Sequence, residues 1–232
     1  MKIGAIIYRT EAITYSGVDT ELKQTVKGRG KKQRNMEMKK NTSNYKRKVI
    51  YTAYIAMGAA LLTICSWISI PIPVIPVTLQ TFAVCLIAAL FPLWVSLGSF
   101  AVFMFLGFIG LPVFSGMKNG AAAIASPTFG YLIGFLITII LVGGAIRIFG
   151  RKKICMFFSM ILGVAVAYLF GSVWYWIFSM NKGGNAIGFF SVVMTCVVSF
   201  IIPDIIKVVI AVMISDRLSP VVNRMVINRC EK

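Results

Sequence analysis

The sequence predicts an all-α integral membrane protein, and three observations carry that class. Hydrophobic residues make up 58% of the chain and the mean hydropathy is +0.85, well above the roughly 45–50% apolar content of a soluble domain. Apolar runs of about 20 residues, the length a helix needs to cross the hydrocarbon core, recur between residues 50 and 215. The ionisable residues collect at the chain ends and in short connections, so almost none interrupts the apolar runs. Together these predict six transmembrane helices, a Pro-rich first outer loop and an extra apolar segment before the last helix.

The first span is expected over Ile50–Ile70 and ends in PIPVIP, where Pro71, Pro73 and Pro76 forbid a continuous helix. A second, Val77–Leu90, is short for a full crossing, so it either starts within the outer headgroup layer or is partly buried by its neighbours. Pro92 turns the chain into a third span, Leu93–Leu111, followed by a Gly-, Ala- and Ser-rich loop, PVFSGMKNGAAAIASP. A fourth, Thr128–Phe149, stops at Arg151, Lys152 and Lys153; a fifth, Met156–Ser179, stops at the polar turn MNKGGN. The remaining apolar stretch, Ala186–Ser219, would be about 51 Å long as one helix against a core of roughly 30 Å. The expected break is Pro203, since proline suits the first position of a helix and disrupts its interior. Ile187–Ile202 then reads as a re-entrant or oblique helix and Pro203–Leu218 as the sixth span.

The net charge of +17 resembles a nucleic-acid signal until it is mapped: 13 of the 24 Lys and Arg lie in residues 1–48. A basic run beside a first apolar span fixes that end in the cytoplasm, although such a run also suits anionic lipid or nucleic acid. With six crossings and the N-terminus inside, 21 of the 24 cations fall inside and only Lys118 and Lys182 outside, Lys207 lying within the sixth span. Both termini are therefore expected in the cytoplasm. The expected organisation is a disordered basic tail over 1–49, a six-helix transmembrane domain over 50–219 and a cytoplasmic tail over 220–232. No cleavable signal peptide is evident, and a start at Met36 or Met38 would remove much of the tail.

Several chemistries are disfavoured by composition. The five cysteines form no close pair and read as small buried hydrophobes. With no His and only seven acids, four of them in the tail, a metal site is not expected. No Gly-rich phosphate loop ends in Gly-Lys-Ser/Thr, and a nucleophile–base pair is hard to build from these residues. The chain is expected not to be an enzyme.

Asp204 and Lys207, in IPDIIKVVIA, are the anomaly. A charge at bilayer depth costs roughly 2.5–3.5 kcal/mol on insertion scales, which makes an intramembrane pair a functional-site candidate. A spacing of three puts both on one helix face. With a helix starting at Pro203, Asp204 falls in its first turn, where the dipole favours a negative charge. Either the two groups simply neutralise each other, or they hold a polar ligand that completes their hydrogen bonding.

Four segments together resemble one family: PVTLQTFAVCLIAALF at 76–91, GLPVFSG at 110–116, PTFGYLIGF at 127–135 and PDIIKVVIA at 203–211. In order and spacing they are similar to BioY, the biotin-binding S component of energy-coupling-factor (ECF) transporters, over about residues 53–220. The resemblance implies a six-helix subunit that captures biotin from outside as its transported ligand, with no cofactor. It further implies a transmembrane coupling protein and a pair of ATP-binding subunits as partners.

By motif, Asp204 would meet the ureido N–H groups and Lys207 a ligand oxygen. Tyr131, Thr128 and Asn119 are candidates for completing the polar contacts, with an interfacial anchor as the other reading of Tyr131. Thr78 and Gln80 follow the Pro-rich loop, a candidate lid, or else satisfy backbone groups freed by Pro76. Where typical members have Gly before the Pro-Thr of the fourth-span motif, this chain has Ser126. On the first span the family's alanine motif for the coupling protein falls on Ala56 and Ala60, within a small-residue patch that also includes Ala53, Gly58 and Ala59. Packing inside the bundle is the competing reading. The alternative function is a stand-alone secondary carrier for biotin or a related carboxylate, using Asp204 as its ion or proton site.

Overall fold

The structure, a computed structural model, describes residues 37–38, 41–42, 44–70, 76–181 and 189–231. The chain divides into two compact units, Val49–Asn228 and a smaller one formed by Met1–Lys48 with Arg229–Lys232. Most of the basic tail, the Pro-rich segment 71–75 and the polar turn over 182–185 lie outside the described residues.

Helices dominate the larger unit. Asn44–Trp67 (α1), Phe129–Phe149 (α5) and Lys153–Asn181 (α6) are long and apolar enough to cross a membrane, the last over Lys153–Met180. Gln80–Leu90 (α2) and Leu93–Phe108 (α3) are shorter apolar helices. Gly120–Ile124 (α4) is a single turn, and Phe129–Phe149 follows it almost at once. Apolar sequence forces this economy, because a backbone without water must satisfy its own hydrogen bonds. The only described strands are Ser69–Ile70 (β1) and Val77–Thr78 (β2), paired antiparallel with Ser69 opposite Thr78. They carry the chain out of α1 and into α2.

The second span proves shorter than Val77–Leu90, because its first two residues are strand. As an 11-residue helix α2 is about 16 Å long, and ten of its residues are buried. It is therefore the central post of the bundle, lined by α3, α5 and α6. Its C-terminal carbonyls are capped from a distance: Arg151 donates to Ala89 O at 2.7 Å and to Leu90 O at 3.4 Å. Partial burial lowers the Arg151 pKa from its ordinary value.

α5 and α6 form the tightest pair, and small residues explain the approach. A Cβ on Gly134 would stand 2.5 Å from Ala167 Cα, and one on Gly163 2.6 Å from Thr138 Cγ2. Thr138 Oγ1 donates to Gly134 O at 2.9 Å and sits 2.8 Å from Gly163 O, so the hydroxyl is satisfied within the seam. α1 docks on α3 in the same manner, with Gly58 against Ser99, and on the α2–α3 turn, with Tyr54 stacked on Phe91 at 5.1 Å.

The expected break at Pro203 is absent. Phe189–Glu231 (α7) is one helix of 43 residues, about 64 Å long, with Pro203 and Pro220 inside it. A proline removes one N–H and crowds one carbonyl. Ending the helix would instead strip partners from several backbone groups, the costlier outcome in apolar surroundings. The apolar segment expected before the last helix is thus its N-terminal part, and the helix continues beyond residue 219 to Glu231. Asp204 lies in the interior of α7, so the helix-dipole account of its charge lapses.

The bundle has two chemically distinct ends. Arg151, Lys152 and Lys153 cluster at the α5–α6 turn, where Lys153 Nζ lies 2.9 Å from Asp216 Oδ2. The starts of α2 and α5 lie at the other end.

Candidate ligand-binding site

At that other end, five parts of the chain enclose a cavity of about 700 Å³, open mouth included. They are the β2–α2 corner, the loop after α3 together with α4, the first turns of α5, the middle of α6 and residues 200–207 of α7. Phe114, Phe135, Val164 and Phe200 supply much of the apolar wall.

The polar face centres on Asp204 and Lys207, 4% and 9% exposed. Lys207 Nζ lies 2.7 Å from Asp204 Oδ1 and donates to Thr78 O, also at 2.7 Å. Tyr168 Oη donates to Asp204 Oδ2 at 2.6 Å. A buried ion pair is tolerated only when the remaining lone pairs and protons find partners, and these contacts provide them from three elements. Capacity remains, because each carboxylate oxygen accepts two hydrogen bonds and an ammonium donates three. A ligand can therefore bind without dismantling the pair.

Other polar atoms at the cavity are less satisfied. Gln80 Nε2 and Ser115 Oγ are buried with no hydrogen-bond partner among the described residues. Such groups cost about 1–3 kcal/mol each when unpaired, and a polar ligand in the cavity would relieve that. On the α5 side Thr128 Oγ1 lies 2.8 Å from Ser126 Oγ, which accepts from Lys118 Nζ at 3.1 Å. Tyr131 and Tyr168 flank Phe200, each with ring centroids 6.4 Å away.

Six of the residues singled out from sequence, Asp204, Lys207, Thr78, Gln80, Thr128 and Tyr131, line this single cavity. Asn119 does not. It is exposed, and its Oδ1 accepts from the Ala122 N–H at 3.4 Å, closing the first turn of α4. Ala56 and Ala60 are elsewhere, exposed on one face of α1 together with Ala53, whereas Gly58 and Ala59 point into the bundle. Of the Pro-rich candidate lid, Pro76 lines the cavity and residues 71–75 fall outside the described set.

Tyr168, Phe200, Lys118 and Ser126 were not among the site residues picked from sequence. Tyr168 is 36 residues from the carboxylate it serves, and a single Tyr in an apolar helix carries no periodic signal of such a contact. Lys118 did stand out, as one of only two cations assigned to the outside.

Helices of membrane-crossing length around a small-molecule cavity with a buried ion pair define an α-helical membrane protein built to hold a ligand. The chain belongs to the BioY family, whose sequence profile matches residues 35–224. It is 34% identical over 164 residues to a probable biotin transporter BioY of Pyrococcus horikoshii, covering 71% of this chain and 93% of that one. With the biotin transporter BioY of Thermotoga maritima it shares 34% identity over 180 residues, 73% of this chain and 91% of that one. Its fold matches the crystal structure of the S-component for biotin from an ECF-type ABC transporter with a TM-score of 0.66. That match has 28% identity and covers 74% of this chain and 91% of that one.

Proposed function

We propose that this chain binds biotin and serves as the substrate-specific subunit for its uptake by an ECF-type transporter. The observation that carries the reading is the Asp204–Lys207 pair, buried at the wall of a cavity with an apolar lining and few polar groups in a member of the BioY family. The chain is a transport protein and not an enzyme. Biotin is its cargo, and its ureido ring offers both the N–H donors that Asp204 accepts and the carbonyl oxygen that Lys207 reaches. Gln80, Thr78, Thr128 and Tyr131 complete the pocket.

In the membrane the chain passes six times through the bundle of α1, α2, α3, α5, α6 and α7, the short α2 being enclosed by its neighbours instead of spanning the core alone. The basic α5–α6 turn lies inside, which opens the cavity to the outside and puts both termini in the cytoplasm. Residues 50–219 form the binding domain, flanked by the basic tail of 1–49 and a C-terminal tail over 220–232 that continues α7. A coupling protein in the membrane and two ATP-binding subunits supply the energy, since this chain carries no phosphate loop. Ala56 and Ala60 present a small-residue face suited to the coupling protein.

The rival carrier reading makes a different demand. A secondary carrier alone in proteoliposomes accumulates biotin when a proton or sodium gradient is imposed. The substrate-binding subunit alone is expected to give no gradient-dependent accumulation, and to acquire ATP-dependent uptake when the coupling module is added. Gradient-driven accumulation by the isolated chain would establish the carrier instead.

A further inference from the structure

We infer that Lys118, held by Ser126 and acting together with Thr128, is the site that takes the ligand's carboxylate; this rests on the biotin reading above. Three ionic side chains line the cavity: Asp204, Lys207 and Lys118. The first two are paired with each other, whereas Lys118 forms no ion pair among the described residues. The lining thus carries a net positive charge, which an anionic ligand neutralises. An alkyl carboxyl group, with a pKa near that of Glu at about 4.3, is ionised at neutral pH.

The local geometry prepares Lys118 for this task. Phe114 and Lys118 close a bridge across a tight turn in which Gly116 and Met117 both have positive φ, +72° and +56°. A side chain is rarely held in that region without a surrounding structure that enforces it. The aliphatic stem of Lys118 runs close to the turn, with its Cε 3.9 Å from the Cβ position of Gly116. The ammonium then donates to Ser126 Oγ at 3.1 Å, and Ser126 is itself fixed, buried, with its carbonyl accepting from Trp174 Nε1 at 3.0 Å.

Proton order follows. Ser126 Oγ accepts from Lys118 Nζ at 3.1 Å and from the Thr128 backbone N–H at 3.4 Å, which engages both lone pairs and leaves its hydroxyl to donate to Thr128 Oγ1 across 2.8 Å. The Thr128 proton is thereby directed elsewhere, and Thr128 lines the cavity. A carboxylate placed there receives one hydrogen bond from Lys118 and one from Thr128, both strengthened by charge. The glycine typical of the family at the Ser126 position has no hydroxyl, so this arrangement is a property of this chain.

The test compares biotin with biotinamide, which keeps the fused rings and chain but has no charge, on the purified full-length protein. Wild type is expected to favour biotin by about tenfold to a hundredfold, the range for a hydrogen bond to a charged group. Lys118→Met should weaken biotin far more than biotinamide and so remove most of that preference, with a thermal midpoint near wild type reporting that the variant is folded. Ser126→Gly should remove part of it. Equal wild-type affinity for the two ligands, or equal weakening of both by Lys118→Met, would overturn the assignment. Failure of wild type to bind either ligand would overturn the biotin reading itself.

Discussion

Asp204→Asn is expected to weaken biotin binding by two to three orders of magnitude. The substitution keeps the size of the side chain but removes its charge, leaving Lys207 buried without a counter-ion and depriving the Tyr168 hydroxyl of an ionised acceptor. Breaking one partner out of a buried pair costs roughly 3–5 kcal/mol, and each 1.4 kcal/mol is about tenfold in affinity. Part of that cost will fall on folding, because Lys207 also ties α7 to β2 through Thr78 O. The double variant Asp204→Asn, Lys207→Met separates the two effects. It no longer buries an unpaired charge, so its thermal midpoint should recover toward wild type while biotin binding stays lost. An Asp204→Asn protein that binds biotin within threefold or so of wild type would show that the pair is structural and that the ligand is anchored elsewhere.

The second large effect concerns transport and leaves binding intact. Replacing Ala56 and Ala60 together by Trp is expected to reduce biotin uptake by at least about tenfold, equivalent to ~1.4 kcal/mol of docking free energy. Both residues are exposed on α1, and small residues matter on such a face because they let a second helix approach its backbone. Two indole rings would hold that helix away. The cavity is built from β2, α2, the loop after α3, α4, α5, α6 and α7, with no lining residue from α1 among the described residues, so equilibrium binding by the same variant should remain close to wild type. Uptake in cells producing the coupling module, measured beside binding to the purified protein, gives both readouts. Loss of binding along with uptake would place the alanines in the packing of the bundle.

What could be read from the sequence follows from how local each signal is. The Asp204–Lys207 pair was legible because charge in an apolar run is costly, and that holds whatever the tertiary structure. The limits of α5 were legible within a residue or so, since Pro127 and the cations from Arg151 punctuate an uninterrupted apolar run. Pro203 does not end α7, because an interior proline costs less than unpaired backbone in apolar surroundings, a comparison that a local proline rule leaves out. Contacts between distant residues left no local trace: Lys207 meets Thr78 across 129 positions and Tyr168 meets Asp204 across 36. The close approach of α5 and α6 had a visible basis in Gly130 and Gly134, but their spacing does not say which helix fills the groove. Asn119 shows the converse, a polar residue beside a motif whose amide is engaged by the local backbone of α4.

The central claim is that this one chain, without partners, captures biotin in the cavity beside Asp204 and Lys207. Equilibrium binding of radiolabelled biotin to the purified full-length protein in detergent or nanodiscs tests it most directly. The expected result is saturable binding of one biotin per chain that needs neither ATP nor an ion gradient and is displaced by unlabelled biotin. Absence of saturable binding by a folded, monodisperse preparation would contradict the account.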